Sequence, residues 1–196
     1  MGEPLPEPFF QNDFWRPDPP RPVVPVPAVM SGSLRGRRVL IGVPGLGWRG
    51  DLRADEKLVQ GSRTYVPVMP EAEWYRAESE KTEVFAALVP IERVWAEEFG
   101  VPAFPNSGGS RLVSLDEPPR RPPVPATRES VLTGRRVVRL LDGGEQRDLR
   151  ATTELYTSSS GDICVRVATE IDWYSWSWSA RFPQTMEVVA NALWTE

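Results

Sequence analysis

The chain repeats itself. Gly36-Arg37-Arg38-Val39 returns as Gly134-Arg135-Arg136-Val137, an offset of 98, and Asp51-Leu52-Arg53-Ala54 returns as Asp148-Leu149-Arg150-Ala151, an offset of 97. Glu71, Trp74, Tyr75, Trp95 and Glu97 return 99 residues later as Glu170, Trp173, Tyr174, Trp194 and Glu196. Upstream, Pro25-Val26-Pro27-Ala28 and Leu34 return as Pro123-Val124-Pro125-Ala126 and Leu132. Collinear matches whose offsets drift by one or two residues are what two copies with small loop changes produce. Such a chain builds one unit twice, and the two units are expected to pack about a pseudo-twofold axis, the covalent counterpart of a C2 dimer.

Each copy divides into a proline-rich leader and a core. The leaders are expected over residues 1–35 and, with a linker, 100–133; the cores over 36–99 and 134–196. Nine prolines fall in residues 1–27 and seven in 102–125, so the leaders should be extended, since proline fixes φ and removes an amide donor. Phe9, Phe10, Phe14 and Trp15 are a large apolar load for a tail in water, which favours an arm docked on a core. Ser107-Gly108-Gly109-Ser110 reads as flexible linker.

The cores read as short β-rich runs separated by glycine, serine and charge. Arg37–Val43 and Arg135–Leu141 are the expected first strands, followed by glycine-bearing turns, and the Asp-Leu-Arg-Ala segments open the second. A third strand carries Thr64, Val66 and Val68, matched by Ile163, Val165 and Val167; period 2 extends its inward face to Trp74 and Trp173. Pro90 argues against a helix at the end of copy one. The expectation there is a strand through Ala87–Val89, a turn at Pro90-Ile91-Glu92 and a strand from Arg93 to Ala96, whereas Met186–Trp194 in copy two has helical composition. The fold class is therefore mainly β, a tandem duplication of a small SH3-like or Tudor-like barrel, each copy with its leader.

Composition removes most catalytic classes. The chain has no histidine, one cysteine and a formal charge of −4. Imidazole mechanisms and internal disulfides are excluded, and no phosphate-cradling glycine loop, EF-hand or serine–lysine motif is present. Neither a metal nor a cofactor is expected. Two carboxylate pairs, Glu71 with Glu73 and Glu170 with Asp172, would share a strand face and leave a carboxylate-dependent hydrolase as one alternative. A nucleic-acid module is another, because residues 111–150 hold nine arginines against six acids. The acidic start Met1-Gly2-Glu3 and the lack of a long apolar run point to a soluble, cytoplasmic protein with no membrane partner and Cys164 reduced. Pro6 stands where a myristoylation motif on Gly2 needs serine or threonine.

Features shared by the copies serve the common fold, and features of one copy are candidates for function. The shared tryptophans therefore read as core, and the shared Asp–Arg segments as cross-strand ion pairs or as pairs displayed to a ligand. Arg37, Arg38, Arg135 and Arg136 are candidate anion contacts. Trp48 belongs to copy one alone. Trp176 and Trp178 belong to copy two, where copy one has Ala77 and Ser79. On a strand, Tyr174, Trp176 and Trp178 would form one outward stripe. With Trp48, Glu170 and Asp172 they are the expected partner-binding surface of a non-enzymatic protein-binding module, of inhibitor, immunity or accessory-subunit type.

Overall fold

The computed structural model describes residues 18–100 and 117–196. The aromatic cluster Phe9–Trp15 and the Ser107–Ser110 linker lie outside them.

Copy one runs β1 (Val23–Pro27), β2 (Arg38–Val43), β3 (Gly47–Ala54), β4 (Leu58–Gln60), β5 (Arg63–Pro70), α1 (Glu71–Glu80), β6 (Ala87–Pro90), a 3-10 turn at Ile91–Arg93 and β7 (Val94–Phe99). Copy two runs β8 (Val124–Pro125), a 3-10 turn at Ala126–Arg128, β9 (Arg136–Leu141), β10 (Gly144–Ala151), β11 (Tyr156–Thr157), β12 (Ile163–Thr169), α2 (Glu170–Ser179), β13 (Met186–Val189), a 3-10 turn at Ala190–Ala192 and β14 (Leu193–Thr195). The first sheet has the order β1-β7-β2-β3-β5-β4 with β6 on β5. The second repeats it as β8-β14-β9-β10-β12-β11 with β13 on β12. Both are antiparallel and curl into half-barrels, so the chain is mainly β with two sheets of one topology.

Each half-barrel carries its own core. Leu34, Val39, Ala54, Val66, Val68 and Val94 fill the first; Leu132, Val137, Ala151, Val165, Val167 and Leu193 take the matching places in the second. The period-2 reading of the third strand holds where it places these valines inside. It fails at the strand's end. Trp74 and Trp173 do not continue the strand, because α1 and α2 begin at Glu71 and Glu170. In α1 the cause is a run of strong helix formers. In α2 the alternation of serine and aromatics mimics a strand, but the Thr169 side chain accepts the Asp172 amide and caps the helix. Ser175 and Ser177 then donate their hydroxyls to the carbonyls of Asp172 and Tyr174 one turn back.

The end of copy one matches the expected strand–turn–strand. Copy two does the same rather than forming a helix, because β13 pairs with β12 and β14 with β9. Val23–Pro27, counted with the leader, is an edge strand on β7. Pro22 accepts from Gly100 and Ala28 donates to Val94, so even-numbered residues turn their polar groups towards β7. Pro25 and Pro27 have the other parity, and their missing amides face away from the ladder, where proline is tolerated. Ala28 and Leu34, also in the leader by sequence, are fully buried in the core.

The tryptophans expected to form the core divide. Trp194 is buried, while Trp74, Trp95 and Trp173 are half-buried. Trp74 lies over Gly36 and Trp173 over Gly134, both at positive φ, +72° and +84°. A Cβ at Gly36 would sit 3.3 Å from the Trp74 ring, and one at Gly134 would sit 3.6 Å from Trp173. The repeated Gly-Arg-Arg-Val segment thus starts with glycine for both conformation and space.

Candidate functional site

The helices begin where the two copies meet. Glu71 and Glu170 open α1 and α2, at the helix ends where a negative charge is favoured. They are 1% and 0% exposed. Four arginines from the repeated segments surround them. Glu71 lies 3.1 Å from both Arg38 and Arg53, 3.2 Å from Arg136 and 3.0 Å from Arg150. Glu170 lies 2.6 Å from Arg38, 3.2 Å from Arg53, 3.5 Å from Arg136 and 3.3 Å from Arg150. The last two contacts reach Glu170 Oε1 without hydrogen-bond alignment, and attraction between opposite charges is what remains there.

The aspartates of the repeated segments cross between copies. Asp51 contacts Arg136 at 2.9 Å and Arg150 at 2.8 Å, and Asp148 contacts Arg38 at 2.7 Å. Both have positive φ, 56° and 57°, and both sit where β3 and β10 shift register against β2 and β9. The bulge turns each carboxylate out of its own sheet towards the other copy. The tyrosines cross as well. Tyr75 accepts from Arg53 and donates to Glu170, while Tyr174 accepts from Arg150 and donates to Glu71. Their rings stack with centroids 5.7 Å apart. Glu97 on Arg136, at 3.1 Å, and Glu196 near Arg38, at 3.6 Å, close the outer ends.

Electrostatics follows from this crowding. Burial raises the Tyr75 and Tyr174 pKa values, and the facing glutamates, Glu170 and Glu71, raise them further. Burial alone would raise Asp51, but Arg136 and Arg150 outweigh it and hold its carboxyl below the usual range. Burial opposes the charge on Arg38 and Arg136, yet the surrounding carboxylates raise both pKa values, so both stay cationic. A buried ion cluster of this kind yields little net stability over an apolar core, yet removing one member is costly because it leaves buried charges uncompensated.

This placement corrects several expectations. Glu170 is enclosed in the network and Tyr174 is stacked on Tyr75, so neither is displayed on an outward stripe. Asp172 is half-buried, with Thr169 Oγ1 donating to it at 2.8 Å. Arg38 and Arg136 are sequestered by carboxylates, whereas Arg37 and Arg135 are exposed at the strand starts and pair with Glu98 at 2.8 Å and Glu129 at 3.4 Å. The Asp–Arg segments form ion pairs, but between copies rather than across one sheet. Glu73 and Asp172 project roughly 200° round the helix from Glu71 and Glu170, so neither carboxylate pair shares a face. Trp48 meets Trp95 edge-on at 6.3 Å and is half-buried.

The aromatic surface that remains lies on copy two. Trp176 is 48% exposed and stacks on Phe182, itself 85% exposed, at a centroid distance of 5.9 Å. Ile171 is exposed and Trp178 half-buried on the same helix. Phe182 escaped the sequence reading because it follows the helix rather than lying within the serine–tryptophan alternation. Copy one exposes Phe85 in the corresponding segment, but no ring stacks on it among the described residues.

No group of acidic or cysteine side chains among the described residues is arranged to hold a metal ion, and none of their helices is long and apolar enough to cross a membrane. Comparisons with protein-family models, curated proteins and solved structures found no match to this chain.

Proposed function

We propose that the protein is a non-enzymatic binding module, of inhibitor, immunity or accessory-subunit type, that takes a protein partner on the exposed end of α2. The observation that carries this reading is the Trp176–Phe182 stack, two large rings facing solvent on copy two with no stacked counterpart on copy one among the described residues. Exposed aromatics grouped in this way are the usual anchors of protein interfaces and of grooves for proline-rich peptides. The finer fold reading belongs to the same proposal. Strand order β7-β2-β3-β5-β6, with a 3-10 turn joining β6 to β7, supports an SH3-like or Tudor-like barrel, a frame that many binding functions use. A cytoplasmic location fits the buried, unpaired Cys164.

The test compares the full chain with Trp176→Ala/Phe182→Ala in affinity capture from the native lysate, with circular dichroism as the folding control. A partner retained by the wild type and lost by a folded variant supports the reading. Equal capture by both, or capture of nothing by either, removes the aromatic surface as the binding site.

A further inference from the structure

Copy two departs from copy one a second time, in a cleft of ≈650 Å³ against β8, β9 and β10. That volume lies within the range of small-molecule sites, about 300–1,000 Å³. Five arginines line it: Arg120, Arg121, Arg135, Arg136 and Arg150. Three carboxylates line it as well, which leaves positive charge in excess. Two of these are already engaged, Asp51 by Arg136 and Arg150 and Glu196 by Arg147.

The arginines fall into a fixed set and a free set. Arg136 and Arg150 are held in place by Asp51 and by Glu71, at 3.2 and 3.0 Å. Arg120 and Arg121 are exposed. Among the described residues, Arg120 makes only an exposed contact with Glu117 at 3.8 Å and the Arg121 guanidinium has no carboxylate partner. Arg135 leans on Glu129 at 3.4 Å. Long contacts on exposed guanidiniums contribute little, which leaves Arg120, Arg121 and Arg135 able to turn to a stronger anion.

Copy one shows that the fold does not need this charge. At the same offset as the repeat, Pro22-Val23 stands for Arg120-Arg121 and Ser31 for Glu129. Arg37, the counterpart of Arg135, is exposed as well but is held in a hydrogen-bonded pair with Glu98 at 2.8 Å. The basic lip is therefore particular to copy two. Planar guanidinium forks match paired phosphate oxygens.

We propose that this cleft is an anion site for a phosphate-bearing small molecule of about nucleotide size. Arg120, Arg121 and Arg135 grip the phosphate above the fixed guanidiniums of Arg136 and Arg150. The cleft shares no residue with the Trp176–Phe182 surface, so it stands or falls independently of the protein-binding reading.

The test is calorimetric titration of the full chain with pyrophosphate at low ionic strength, repeated with Arg121→Ala, Arg135→Ala and, as the copy-one control, Arg37→Ala. The expected result is one saturable site tighter than about 1 mM. Either cleft variant should weaken it roughly tenfold or more, and Arg37→Ala should leave it unchanged. Should an alanine variant fail to fold, Arg121→Lys retains the charge, loses the fork and gives a second reading of the same weakening. Absence of saturable binding, or equal weakening by Arg37→Ala, overturns the proposal. A short single-stranded oligonucleotide that binds and is not displaced by pyrophosphate overturns it in favour of a polymer.

Discussion

Copy one and copy two agree in the charged network that joins them and differ at the end of α2 and along the rim of the cleft. Arg38, Arg53, Asp51, Glu71, Tyr75 and Glu97 recur in copy two as Arg136, Arg150, Asp148, Glu170, Tyr174 and Glu196, and all twelve lie in the network joining the halves. By contrast, Ala77, Ser79 and Pro22-Val23 become Trp176, Trp178 and Arg120-Arg121, at the helix end and the cleft. An isologous interface explains the first group, because each residue serves twice and a change in one copy also disturbs the other. Nothing in the shared fold holds the second group constant. The difference distinguishes residues held constant by the joint between the halves from residues that copy two carries alone.

The largest effect should come from breaking the shared network. Glu71→Gln and Glu170→Gln each leave buried guanidiniums without their charge partner, so each should cost about 3–5 kcal/mol in denaturant unfolding. The costs should be similar although the residues lie in different copies. A small effect at one position would show that the halves do not share the cluster equally.

Alkaline titration tests the same cluster without mutation. Tyr75 and Tyr174 have folded-state pKa values raised above the unfolded value of about 10. The neutral hydroxyls therefore stabilise the fold fully below that pH, and this contribution is lost as pH rises towards the folded pKa. Unfolding midpoints should fall above about pH 10, and the fall should shrink in Tyr75→Phe/Tyr174→Phe.

Smaller changes sharpen the comparison between copies. Gly36→Ala and Gly134→Ala both force a side chain into positive φ, at about 1–2 kcal/mol. Gly36→Ala should cost more, since its Cβ comes closer to the overlying tryptophan. Thr169→Ala removes a capping bond, worth about 1 kcal/mol. Its counterpart Pro70 makes no side-chain cap, so Pro70→Ala loses no such bond. Last, Trp176→Ala should move stability by within about 0.5 kcal/mol, because the ring is half in solvent. A large loss there would make it a structural residue.

Much of the fold is legible in the sequence. Alternation placed Val66, Val68, Val165 and Val167 inside, and Pro90 located the turn between β6 and β7. The helices were not legible. Glu71–Glu80 and Glu170–Ser179 follow a strand with no glycine or polar loop to mark the change, and the Ser-Trp-Ser-Trp pattern of α2 fits a strand equally well by period. The local signals were the helix formers of Glu71–Glu80 and the Thr169–Asp172 cap of α2. The strand reading then carried Tyr174, Trp176 and Trp178 onto one face, where a helix separates them.

The sequence alone determined that one unit occurs twice, because collinear repetition of glycines, tryptophans and charges needs no knowledge of distance. It also determined that imidazole chemistry is absent. Only the tertiary structure decided what the repeated charges do. A carboxylate and a guanidinium attract across whatever gap the fold leaves, and sequence spacing cannot tell a partner in the next strand from one in the other copy. The bulges at Asp51 and Asp148 and the helix starts at Glu71 and Glu170 settled that choice, by bringing four arginines and four carboxylates to the axis between the halves.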